Sequence, residues 1–158
     1  MNWPTISDRL AYKRSLKDQC IALLNARIDT ARQAMQSAQE SANNEGKSSA
    51  GDKYETGRAM SQIDRDRSAG QLDEAVQDML RLQSIDADRI YDQVANGTVI
   101  RSGDMIYFIA TGLGVIQHDG HKVIVLSPKA PLSNLLREKV KGDQVTFNGK
   151  SFVIDEVF

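Results

Sequence analysis

The chain is poor in the residues from which most self-contained active sites are built. It has one cysteine, Cys20, and two histidines in 158 residues. A lone cysteine excludes a disulfide framework, and His118 and His121 have no nearby Cys or further His to complete a zinc site. Cys20 sits in an apolar helical pattern and reads as a small buried side chain. A single cysteine also suits a reducing compartment. Long apolar runs are missing too, and nothing approaches the roughly 20 residues needed to cross a bilayer. Met1-Asn2-Trp3-Pro4 has neither the basic start nor the apolar core of a signal peptide, so the expected location is cytoplasmic and no membrane partner is expected.

An excess of either charge is equally absent. The net charge is −1, and basic against acidic residues stand at six to five before residue 46, seven to ten over 46–96 and seven to six after that. Binding by phosphate neutralisation requires a basic stripe, so independent DNA binding is not expected. Gly112-Leu113-Gly114 lacks the third glycine and the following helix of a dinucleotide fingerprint. No nucleophile paired with a base of a familiar kind is visible.

What is present is helical periodicity. Ile21, Leu24, Ile28, Ala31, Met35, Ala38 and Ala42 fall at alternating spacings of three and four, a heptad seam that narrows to alanine. Leu10, Leu16 and Cys20 continue it upstream in a shifted register. The pattern breaks over Asn43–Gly51, which is rich in turn formers. A second helical pattern is predicted from about Lys53 to Val94, with Met60, Ile63, Leu72, Val76, Met79, Leu82 and Ile85 as its apolar positions. The methionines read as seam packing rather than a binding surface. So short a connection favours antiparallel neighbours. The expectation is an antiparallel two-helix coiled coil over 1–96, an arm roughly 50 Å long with its tip near 43–56.

The period changes at Ala95-Asn96-Gly97. Thr98–Ile100, Met105–Ala110, Val115–Gln117 and Lys122–Leu126 are short β-type runs separated by Gly, Asp and Asn. Pro131–Leu136 predicts a short helix, and Asn148-Gly149 between Val145–Phe147 and Phe152–Ile154 predicts a hairpin. Residues 97–158 should form a small α+β domain with a mostly antiparallel sheet, so the fold class is α+β. His118-Asp119-Gly120-His121 reads as an exposed turn.

Asp52 and Glu55 are the sharpest chemical candidates. Three residues apart at a helix start, their Cβ atoms lie roughly 5–6 Å apart on one face. Such a pair can ligate a hard cation such as Mg²⁺ together with water and substrate phosphates. The same Asp-x-x-Glu pattern is also close to a capping box, and residue types alone leave both readings open. Lys47, Lys53, Tyr54 and Arg58 surround the pair as candidate contacts to RNA phosphates or a protein surface, or as plain solvated side chains.

A helical hairpin with an acidic tip, followed by a small α+β domain, resembles the bacterial Gre transcript-cleavage factors, as a divergent member. Gly51-Asp52-x-x-Glu55 is similar to the family's Gly-Asp-Leu-Lys-Glu segment, although Lys53-Tyr54 replaces Leu-Lys and Thr56 replaces the following Asn. Ser127-Pro128-Lys129-Ala130-Pro131-Leu132, then Leu136, Lys139, Gly142-Asp143 and Val145, is similar to its Ser-Pro-x-Ser-Pro-Leu segment and Lys-x-x-Gly-Asp-x-Val continuation. The resemblance implies an FKBP-like second domain that docks on RNA polymerase, with Ser127, Pro128, Pro131 and Leu132 on the docking domain. It implies that the arm enters the secondary channel as a monomer. Asp52 and Glu55 would then act as catalytic acids, sharing a Mg²⁺ with the polymerase, and the free protein would bind no cofactor tightly. The nascent RNA 3′ end is met only inside that complex. The protein would be no enzyme itself but an activator of RNA cleavage by the polymerase. Two other readings remain: a non-cleaving regulator that obstructs the channel, and a coiled-coil adaptor with no polymerase role.

Overall fold

The computed structural model describes residues 6–45 and 51–158, with side chains described over 8–44 and 55–158. Two long helices open the chain, α1 (Ile6–Glu45) and α2 (Gly51–Gln83). α1 runs for 40 residues without a glycine or proline, which removes the two strongest interior helix breakers. Its buried and half-buried positions include Leu24, Ile28, Ala31, Met35, Ala38 and Ala42, the heptad seam read from the sequence.

α2 corrects the sequence reading twice. It stops at Gln83 rather than near Val94, and residues 84–98 follow an irregular course. Asp86 helps to end it, because its Oδ1 accepts the Asp88 N–H at 2.9 Å in a local turn that competes with helix. Its inward face is also only partly the one expected: Leu72, Met79 and Leu82 turn inward as read, but others do not. Met60, Ile63 and Val76 are exposed, at 54%, 51% and 37%. The turned-in positions are Gly57, Ser61, Arg65, Ser68, Leu72 and Ala75, spaced three and four apart. Small residues suit close helix approach as well as large apolar ones do, so periodicity in hydrophobicity alone misses them.

The chain forms two compact units. One is the hairpin segment Ala22–Asp78; the other joins the stretch ending at Ile21 to Met79–Phe158. The second unit holds a five-stranded sheet built from β1 (Val99–Ser102), β2 (Met105–Ile109), β3 (Gly114–His118), β4 (His121–Leu126) and β7 (Glu156–Val157). Its order is β3-β4-β2-β1-β7. Only the β2–β4 pair is parallel. Helix α3 (Pro131–Leu136) and the hairpin β5 (Gln144–Phe147) to β6 (Lys150–Val153) complete it. Asn148 and Gly149 both take positive φ, 51° and 77°, as the tight turn joining β5 to β6 requires.

The sheet is buried on both faces. Ile100, Tyr107 and Ile109 point into a core with Val94, Leu132, Leu136, Val145 and Ile154. The alternate residues Val99, Ile106, Phe108, Val123 and Val125 are also buried, on the opposite face. There the base of α1 supplies Tyr12, whose ring meets His118 edge-on at 5.1 Å and Phe158 at 6.3 Å. Asp119, Gly120 and His121 form the exposed turn that was expected, but His118 is buried, at 7% exposure.

Candidate functional site

The acidic pair lies at the start of α2. Gly51 is already helical, so Asp52 and Glu55 both lie inside α2 rather than flanking it. A capping box needs its first residue to flank the helix and the acid to be the third residue inside it. Both acids therefore lie within the helix, three residues apart on one face.

Glu55 and Arg58 are both exposed. The side chains of Asp52, Lys53 and Tyr54, and the whole of Lys47, lie outside the described residues. Among the described residues no group of three or more His, Cys, Asp or Glu gathers as a metal cage. Chemically the pair offers only hard oxygen ligands, which suits Mg²⁺. Two carboxylates leave most of an octahedral shell to water and to ligands from elsewhere, so the donor set fits a shared ion.

The second group of predicted residues lies between β4 and α3. Ser127 organises the turn: its Oγ accepts the Lys129 N–H at 3.2 Å, and its carbonyl accepts the Ser133 hydroxyl at 2.7 Å. Pro128 is half-buried, and its carbonyl accepts Arg137 Nη2 at 3.1 Å. Pro131 is exposed at the first residue of α3, while Leu132 faces the core at 9% exposure. Pro128 and Lys129 also line a cleft of about 210 Å³ with Arg81, Ser84 and Asn96. Further along, Gly142 takes φ 93°, Asp143 Oδ2 accepts the Val140 N–H at 2.9 Å, and Val145 is buried. Much of this stretch therefore does structural work, with Pro128, Lys129 and Pro131 left on the surface. The tip residues and these surface residues belong to different units.

A polar seam at the base of α1 is not foreshadowed by any motif. Lys13 is fully buried; its Nζ donates to the Arg89 carbonyl at 2.7 Å and lies 4.6 Å from the centre of the Tyr91 ring. Burial lowers its pKa from 10.5 to about 8, with Arg89 adding to the effect and Asp86 opposing it. Lys17 Nζ donates to the Ile85 carbonyl at 2.6 Å, and Arg14 pairs with Asp88. On the other side of α1, His118 Nδ1 meets Gln19 Oε1, and Gln19 Nε2 donates to the Gln117 carbonyl at 2.6 Å. Burial lowers the His118 pKa, with Asp119 opposing. These contacts satisfy the carbonyls of Ile85 and Arg89 in the irregular stretch and of Gln117 in β3. Nothing in lysine spacing alone marks Lys13 as an inward residue.

Comparison with protein-family models, curated proteins and solved structures finds no match to this chain.

Proposed function

We propose that the protein is a transcription elongation factor that stimulates RNA cleavage by a stalled RNA polymerase. The observation that carries this reading is the pair Asp52 and Glu55, three residues apart on the second helix of a hairpin. Acids within the helix, rather than flanking it, leave the cap with less claim on them.

In this reading the hairpin enters the secondary channel, and the second domain, FKBP-like in this proposal, docks outside with Pro128, Lys129 and Pro131 on its surface. Asp52 and Glu55 hold a Mg²⁺ shared with the polymerase at the 3′ end of a backtracked transcript. In a two-metal site one ion helps to generate the attacking hydroxide and the other stabilises the leaving oxygen. The chain's own contribution is to bring two carboxylates and to orient water. Arg58, three residues beyond Glu55, is proposed to meet RNA phosphate or a protein carboxylate inside the complex.

The test is a purified backtracked elongation complex with Mg²⁺. Wild-type protein should shorten the RNA, and a folded Asp52→Asn, Glu55→Gln variant should lose at least tenfold of that activity. Equal shortening by both proteins sinks the role of the acids. Slower nucleotide addition without any shortening replaces cleavage by channel obstruction. A self-associating chain that does not bind polymerase replaces both by the adaptor reading.

A further inference from the structure

Leu24, Ile28 and Leu72 are large inward residues nearer the base, but over Met35–Ala42 and Gly57–Ser68 most of the inward positions are small. There α1 contributes Ala38 and Ala42, and α2 contributes Gly57, Ser61 and Ser68. Register between paired helices is fixed by large knobs in matching holes and by polar side chains that must find their partners. A seam of alanine, serine and glycine supplies few such knobs, so on its own it selects weakly among registers.

Arg65 supplies what the small residues lack. It occupies a half-buried inward position on α2. Its Nη1 donates to Gln39 Oε1 on α1 at 3.0 Å. Gln39 Nε2 in turn donates to Asn43 Oδ1 at 3.2 Å, one turn nearer the end of α1. Asp66 Oδ1 lies 3.6 Å from Arg65 Nη2. The fixed fork of a guanidinium finds an acceptor across the seam only where an amide or carboxylate faces it. Sliding α2 by a turn breaks the Arg65–Gln39 bond; toward the base it sets Arg65 against Met35, which offers no acceptor, and toward the tip against the exposed Asn43.

We propose that Arg65 is a positioning residue, which through Gln39 sets the register of α2 against α1 and thereby the place of Glu55. Its importance for activity rests on the reading of Asp52 and Glu55 as the delivered acids; the register itself does not. Glu55 precedes Arg65 by ten residues on one continuous helix, about 15 Å along its axis. A register error at Arg65 is therefore transmitted undiminished to Glu55.

The test uses the full chain with Cys20→Ser and a spin label on each helix, at Ser41 and Thr56, both exposed. The unaltered seam should give one narrow distance distribution. Arg65→Leu should broaden or displace it by about 5 Å or more, one helical turn, while the melting temperature holds or rises because the seam becomes more apolar. Arg65→Lys, which keeps a cationic donor, and Gln39→Glu, which keeps the acceptor, should both restore the narrow distribution. An unchanged distribution in Arg65→Leu overturns the proposal, as does a broadened one accompanied by general loss of helix. No polymerase enters this measurement, so its failure is distinct from failure of the cleavage assay.

Discussion

The Lys13 ammonium sits 4.6 Å from the centre of the Tyr91 ring with its side chain fully buried. Tyr91 and the Arg89 carbonyl together replace water around a charge that α1 carries inward. This is an expensive way to attach a helix, because only one full hydrogen bond answers three donors.

The cost should appear in the pH dependence of stability. Folded Lys13 releases its proton near pH 8 and unfolded Lys13 near 10.5, so between those values the unfolded chain binds more protons and stability rises with pH. Urea unfolding of wild type and Lys13→Met from pH 7 to 9.5 should show the wild type gaining on the variant above pH 8, by on the order of 1 kcal/mol per pH unit. Cys20 and Tyr12, whose pKa values burial raises to about 12, act in the opposite direction. They are common to both proteins and drop out of the difference. A flat difference would show that the site does not discriminate against the charged lysine.

His118 predicts a second, acid-side dependence. Its folded pKa lies below the ordinary 6.5, so as pH falls through 6.5 the unfolded chain takes up a proton that the folded chain resists. Stability is therefore present above that range and declines below it. His118→Asn should flatten the loss of melting temperature between pH 7.5 and 5. The variant is also expected to cost about 1 kcal/mol at pH 7.5, through the bond to Gln19.

Glu156 collects cations from three places. Arg9 of α1 lies 2.9 Å away, Lys141 3.5 Å and Arg101 4.0 Å, and the carboxylate is only 18% exposed. Removing the shared anion takes the carboxylate partner from Arg9, 23% exposed, and leaves Arg101 with Asp155 at 3.8 Å. Glu156→Gln should destabilise the fold by about 1–3 kcal/mol. Arg9→Met should cost less, since Glu156 keeps two partners. Chemical denaturation of the two variants gives the ranking.

Gly70 predicts a change of the other sign. It lies mid-helix in α2, is exposed, and an added Cβ would meet nothing within 4 Å. Gly70→Ala should stabilise the hairpin by about 0.5–1 kcal/mol. Hydrogen exchange should slow in Ala22–Asp78 and remain unchanged in the sheet; general slowing would show that the two units unfold together.

The parts legible in the sequence were those written in short-range chemistry. Asn148-Gly149 predicts its turn because few other pairs tolerate positive φ twice, and the seam from Ile21 to Ala42 predicts α1 because its large and small residues keep one period. α2 was harder. Met60 and Ile63 attract attention as apolar residues yet face outward, while Ser61 and Ser68 turn inward because closeness, not hydrophobicity, is what that seam requires. Ile85 and Val94 suggested more helix, but both are buried from irregular backbone held by lysines of α1. β7 is two residues long and carries no pattern of its own. For Asp52 and Glu55 the spacing was visible, but its chemistry depends on ligands the chain does not contain.

Gln19 has one more consequence. β3 is an outer strand of the sheet, and an outer strand offers its backbone to any extended chain that passes. The Gln19 amide already occupies the Gln117 carbonyl, from a helix that also holds His118. A foreign strand seeking to add there would first have to displace a side chain anchored at two points. At that point of β3 the edge carbonyl is closed to strand addition by α1 itself.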